Sequence, residues 1–161
     1  CTPWPGSPPS TVQTSLALGF ILCVVIQSLG HVSGAHVNPA VTLGFLVTGH
    51  IRVLKCVLYI FIQVLGGLLG SILVKCIAPR SIQGTLCTTS LHPSVTPTQG
   101  VIVEAVGTFV LMLVLQAVSD EDRRLGNAAP LAAGMAASAS ILALSAYTGG
   151  SLNPARSLGP A

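Results

Sequence analysis

Ser33-Gly34-Ala35-His36-Val37-Asn38-Pro39-Ala40 and Thr148-Gly149-Gly150-Ser151-Leu152-Asn153-Pro154-Ala155 are two copies of one pattern, and Leu43-Gly44 and Leu158-Gly159 follow the copies at equal distance. The offset from Asn38 to Asn153 is 115 residues. Four long apolar stretches surround and separate the copies, at about residues 12–29, 53–77, 101–118 and 128–146. Each approaches or exceeds the ~20 residues a helix needs to cross a ~30 Å hydrocarbon core. Three of them lie between the copies. An odd number of crossings places the copies in opposite orientations, which is the signature of an inverted-topology repeat around a site at the membrane midplane. The copies themselves lie in residues 30–50 and 147–161, which are too short to span and carry Gly and Pro. They read as re-entrant segments.

Composition excludes the main alternatives. Only 7% of the residues are charged and 51% are hydrophobic, against roughly 25% charged residues in a soluble domain; the mean hydropathy is +0.80. Four such stretches in one soluble chain would leave too little polar surface to cover them. The net charge of +3 comes from scattered residues rather than a basic face, so nucleic acid has no footprint here. The five cysteines show no CxxC spacing, which argues against a metal site. A bridge between Cys1 and Cys87 is open, since both fall in polar segments on one side of the membrane, but the odd count favours free thiols. Residues 1–10 have neither an initiator Met nor a basic region before an apolar run, and read as a loop cut open by truncation rather than a signal peptide. Residues 78–100 read as a loop outside the membrane. Arg52, Lys55, Arg123 and Arg124 fall on one side, and Lys75 and Arg80 on the other, so the first group is expected to be cytoplasmic.

The two Asn-Pro-Ala triplets carry the chemistry. A helix that starts inside the membrane must satisfy its first N–H groups without water, and Asn at the N-cap with Pro at the first helical position does so. The Asn carbonyl oxygen accepts from the backbone, which leaves the side-chain NH₂ free to donate into a lumen. Half-helices from Pro39 and Pro154 would meet at the midplane with their positive ends facing, repelling cations. Upstream, extended segments from Gly34 through Ala35 and His36 to Val37, and from Gly149 through Gly150 and Ser151 to Leu152, are expected to present a row of carbonyl acceptors.

At these residues the chain resembles the aquaporin (major intrinsic protein) family, over essentially its whole length, in Ser33-Gly34-Ala35-His36-Val37-Asn38-Pro39-Ala40-Val41-Thr42 and in Asn153-Pro154-Ala155-Arg156-Ser157. The resemblance implies an all-α membrane protein of six spanning helices plus two half-helices, of which the first and sixth are missing here. Residues 1–161 would then be a single, partial channel domain without cofactor, metal or catalytic residues. It implies a passive, proton-excluding water channel in the lipid bilayer, a homotetramer with one pore per subunit, and multi-pass residence, expected in the plasma membrane. The family's selectivity filter maps to Leu18, Ile141, Gly150 and Arg156. The first three depart from a strict water channel, which usually has an aromatic residue and a His at the first two positions. That departure favours glycerol or urea as further permeants, while Ser157 and Ala161 follow water-type members. Some insect channels are similar in joining a water-type framework to a filter without His. The alternatives are an aquaglyceroporin-like channel whose main substrates are small polyols or urea, and a coupled transporter, which the neutral midplane residues Asn38 and Asn153 disfavour. An enzyme lacks a nucleophile with a base.

Glu104 falls inside the third span, where an unsatisfied charge is expensive. The expectation is a buried structural acid that accepts from backbone N–H groups of the second re-entrant loop. Gly66-Gly67-Gly70 and Ala132-Ala133-Ala136-Ala137 read as close-packing surfaces.

Overall fold

The computed structural model describes residues 10–120, 122 and 128–161. The described residues form six α-helices: α1 Thr11–Ser33, α2 Pro39–Val47, α3 Val53–Ile77, α4 Pro97–Ser119, α5 Ala129–Thr148 and α6 Pro154–Leu158, with a 3-10 turn at Arg80–Ile82. Four of these, α1, α3, α4 and α5, are long and apolar enough to cross a membrane. The shortest, α5, has 20 residues, about 30 Å at 1.5 Å per residue. Large apolar side chains cover their outer faces: Leu54 is 72% exposed, Phe61 64% and Phe109 65%. Lipid is the solvent that such a surface requires.

The helix boundaries follow from local chemistry. Ser10 caps α1 by accepting from Gln13 N–H. Thr96 and Gln99 form a reciprocal capping box at α4, whose first residue is Pro97. Helices α1 and α5 both stop at a left-handed glycine, Gly34 at φ 82° and Gly149 at φ 85°, a conformation that costs glycine nothing. Hence α1 runs to Ser33, past the expected end near residue 29, and the first re-entrant turn begins only at Gly34. Of the basic loop used above to orient the chain, Arg123 and Arg124 lie outside the described residues.

Helix α5 packs against both α1 and α4, while α3 packs against α2 and α6. The α1–α5 crossing is a backbone contact between Gly19 and Gly134. A Cβ on Gly134 would sit 2.6 Å from the Gly19 carbonyl oxygen, and one on Gly19 would collide with Ser138 and the Gly134 carbonyl. Of the expected packing glycines on α3, only Gly67 meets a neighbour, the Ala155 carbonyl; Gly66 and Gly70 have nothing within 4 Å. In the alanine cluster, Ala133 and Ala137 are buried. Val41, Phe45, Leu111, Ala137, Ile141 and Leu152 form the core, between α2, the second re-entrant loop and α4–α5. Cys23, Cys56 and Cys76 are free thiols. Cys87 is disulfide-bonded, which corrects the expectation of a free thiol there; Cys1 lies outside the described residues.

Candidate functional site: a lumen between two re-entrant loops

The two Asn-Pro-Ala triplets meet cap to cap. Asn38 Oδ1 accepts from Ala40 N–H at 2.9 Å, and Asn153 Oδ1 accepts from Ala155 N–H at 3.0 Å and Arg156 N–H at 3.4 Å. Each side-chain amide then crosses to the other loop: Asn38 Nδ2 donates to the Leu152 carbonyl at 2.7 Å, and Asn153 Nδ2 to the Val37 carbonyl at 2.9 Å. This amends the expectation that both NH₂ groups are free. One N–H of each amide locks the loops together and one remains. The Val37 and Leu152 carbonyls correspondingly keep only one lone pair each for other donors.

The segments before the Asn residues are not extended. Gly34, Ala35 and Val37 have φ of 82°, 46° and 43°, and Gly149, Gly150 and Leu152 have 85°, 63° and 55°. Left-handed conformations at Ala35, Val37 and Leu152 are rare for residues with a Cβ and cost about 1–2 kcal/mol each. They interrupt the alternation that would send successive carbonyls of a strand to opposite sides.

Side-chain networks hold both loops. Thr42 Oγ1 donates its single proton to the Asn38 carbonyl at 3.0 Å and accepts from Gln63 Nε2 at 2.8 Å. The 3.2 Å contact from His36 Nδ1 to Thr42 Oγ1 must then be donated by the imidazole, leaving Nε2 as an acceptor. The His36 ring is stacked on Phe45 with centroids 4.6 Å apart. In the second loop, Ser151 Oγ donates to the Asn153 carbonyl at 2.9 Å. With one proton per hydroxyl, Ser157 therefore donates to Ser151, at 2.6 Å, and Thr89 donates to Ser157, at 2.8 Å. Thr89 in turn accepts from Arg156 Nη1 at 2.8 Å, which fixes the guanidinium.

Glu104 clasps the second loop from α4. Oε1 accepts from Thr148 Oγ1 at 2.5 Å and from Ser151 N–H at 2.9 Å, and Oε2 accepts from Leu152 N–H at 2.6 Å. The residue is half-buried rather than buried; three donors satisfy its oxygens.

A cavity of about 480 Å³ runs between α1, α5 and the loops. Asn38, Asn153, Leu18, Ile141 and Arg156 line it, as do the residues from Gly34 to Val37 and Ser151 and Leu152. Gly149 and Gly150, expected as carbonyl and filter positions, do not. Gly150 faces α5 instead: a Cβ there would lie 2.8 Å from the Ile141 carbonyl oxygen. Its lack of a side chain therefore permits the loop to approach α5 rather than widening the lumen. Pro39 and Ala155 are buried in the half-helix packing, and Ala40 and Pro154 stand at the first turns. Sequence reasoning missed Thr89, whose partner is 67 residues away.

Two capped half-helices entering a bundle of spanning helices from opposite sides, around one lumen, define a polytopic membrane protein built on an inverted repeat. The family model described as Major intrinsic protein matches residues 6–161. The chain is 40% identical over 160 residues to the lens fiber major intrinsic protein of Ovis aries, covering 98% of this chain and 60% of that one. It is 42% identical over 160 residues to Aquaporin-2 of Rattus norvegicus, covering 98% and 59%. Among solved structures, the aquaglyceroporin from Plasmodium falciparum matches with a TM-score of 0.80 at 27% identity, over 96% of this chain and 67% of that one. The chain spans about 60% of the length of the curated relatives it matches. It belongs to the major intrinsic protein family and is an integral, multi-pass membrane protein.

Proposed function

We propose that the protein is a passive channel for water, with small neutral solutes such as glycerol or urea as further permeants, working as a homotetramer in the plasma membrane. The observation that carries this reading is the reciprocal pairing of Asn38 with the Leu152 carbonyl and Asn153 with the Val37 carbonyl on the wall of one lumen. The pairing fixes both amides, and each retains one N–H to offer a passing oxygen. A water accepting from both is oriented with its own protons outward. A continuous proton-conducting chain is broken at that point. Arg156, held by Thr89, adds a fixed cation and further donors, which disfavours cations and suits neutral oxygens.

Solute range depends on the wall. Leu18 and Ile141 bring no hydrogen-bonding side chain to the lumen wall that Arg156 shares, which favours a permeant with a carbon skeleton. The likeness to an aquaglyceroporin structure points the same way, while the Aquaporin-2 likeness supports water. Reconstituting the full-length protein in liposomes and driving first water and then glycerol decides between them. We expect fast water flux accompanied by measurable glycerol entry. Water flux with glycerol entry at the protein-free rate would restrict the channel to water.

A further inference from the structure

The 115-residue offset relates more than the two loops. Gly19 and Gly134 are images of each other under it and are also each other's contact at the α1–α5 crossing. A pseudo-two-fold axis therefore passes through that crossing. The cross-bonds between the loops are images as well, since Asn38 with Leu152 maps onto Asn153 with Val37. So are the pairs His36–Thr42 and Ser151–Ser157. The φ values of Gly34, Ala35 and Val37 follow those of Gly149, Gly150 and Leu152 in sign and closely in size.

Applied to the filter positions, the same relation carries Leu18 to Ala133, Ile141 to Ile26, Gly150 to Ala35 and Arg156 to Val41. All four images line the lumen, including the image of Gly150, which itself does not. We infer that Ile26, Ala35, Val41 and Ala133 form a second constriction, across the Asn pair from Arg156, which discriminates among neutral solutes by size. The inference rests on the channel reading.

The chemistry of this ring differs from that of its image. Val41 stands where the other ring has a guanidinium, so no side chain of the four can donate or accept. A solute beside these four side chains keeps hydrogen bonds only to backbone carbonyls, to the neighbouring His36 or to other permeants. Width then governs how many of its waters are lost. Ala35 carries a methyl at φ 46°, a conformation that costs an L-residue about 1–2 kcal/mol and glycine nothing. Glycine occupies the image position, Gly150. The methyl is thus retained against the local conformational preference, at a residue of the lumen wall.

The test is the glycerol-to-water permeability ratio of the full-length protein in liposomes, with Ile26→Ala, Ile26→Val and Ile26→Phe, and with Ile62→Ala on the exposed face of α3 as control. A methylene in an apolar pocket discriminates by about tenfold or more. We expect Ile26→Ala to raise the ratio about tenfold, Ile26→Val to raise it less, Ile26→Phe to lower it, and Ile62→Ala to leave it unchanged. Should alanine or phenylalanine fail to fold, Ile26→Val carries the same sign. A conducting parent whose ratio is the same in every folded Ile26 variant, while Ile141→Ala shifts it, overturns the ring and spares the channel reading. A parent that passes neither water nor glycerol overturns both.

Discussion

Replacing Glu104 by Gln removes the charge while keeping the shape, and the structure gives the consequence bond by bond. Three donors converge on the carboxylate: Thr148 Oγ1, Ser151 N–H and Leu152 N–H. The glutamine oxygen can still accept from the first two, but those bonds fall from charge-assisted to neutral strength, a loss of about 1 kcal/mol for the pair. The new NH₂ then faces Leu152 N–H, donor against donor, and leaves that group unsatisfied at a cost of about 1–3 kcal/mol. Together these weaken the hold on the second loop by about 3 kcal/mol, or roughly two decades in its equilibrium with released conformations. Leu152 also supplies the carbonyl that accepts from Asn38, so release of this segment loosens the Asn pair. Thermal unfolding of the purified protein in detergent and osmotic permeability per channel in liposomes are the assays. We predict a lower Tm together with a several-fold lower permeability. Unchanged values of both in Glu104→Gln would refute the reasoning, since the acid would then not hold the loop.

Ile141→His places a hydrogen-bonding, more polar ring on the lumen wall and is expected to reduce glycerol flux more than water flux; equal effects on both would mean that Ile141 does not select. Gly134→Val drives a branched side chain into the Gly19 carbonyl and is expected to destabilise the protein by about 1–3 kcal/mol, visible as a lower Tm in detergent, whereas a parental Tm would count against a backbone contact at that crossing. Thr89→Val removes the acceptor for Arg156 Nη1, a bond to a charged group worth about 1.5–3 kcal/mol. The freed guanidinium, already on the lumen wall, is expected to swing further into the lumen and lower glycerol flux, and parental flux would mean that Thr89 does not position it.

The features legible in the sequence were those encoded locally. Asn followed by Pro announces a helix start wherever it falls, so both caps were readable, and the four spans were readable from the length of their apolar runs. Left-handed glycines ended α1 and α5 where the repeat placed Gly34 and Gly149. Tertiary strain was not readable. Val37 is β-branched and disfavours positive φ, yet it adopts 43° because its carbonyl is needed by Asn153 across the axis. The direction faced by Gly150 depends on where α5 passes, not on its neighbours in sequence. Thr89 sits in a Ser- and Thr-rich linker with nothing to separate it from Thr88 or Ser90 until Arg156 is brought beside it. The left-handed turns of both loops and the approach of Gly150 to α5 are set by tertiary packing and become visible only in three dimensions.

In the proposed function the lumen is a passive path for water. Its most direct test is stopped-flow osmotic shrinkage of liposomes carrying the full-length protein, over a range of temperatures and with and without ion gradients. We predict shrinkage well above the protein-free rate, with a weak temperature dependence, no dependence on sodium or proton gradients, and no accompanying proton leak. Shrinkage at the protein-free rate, or flux that appears only when an ion gradient is imposed, would contradict it.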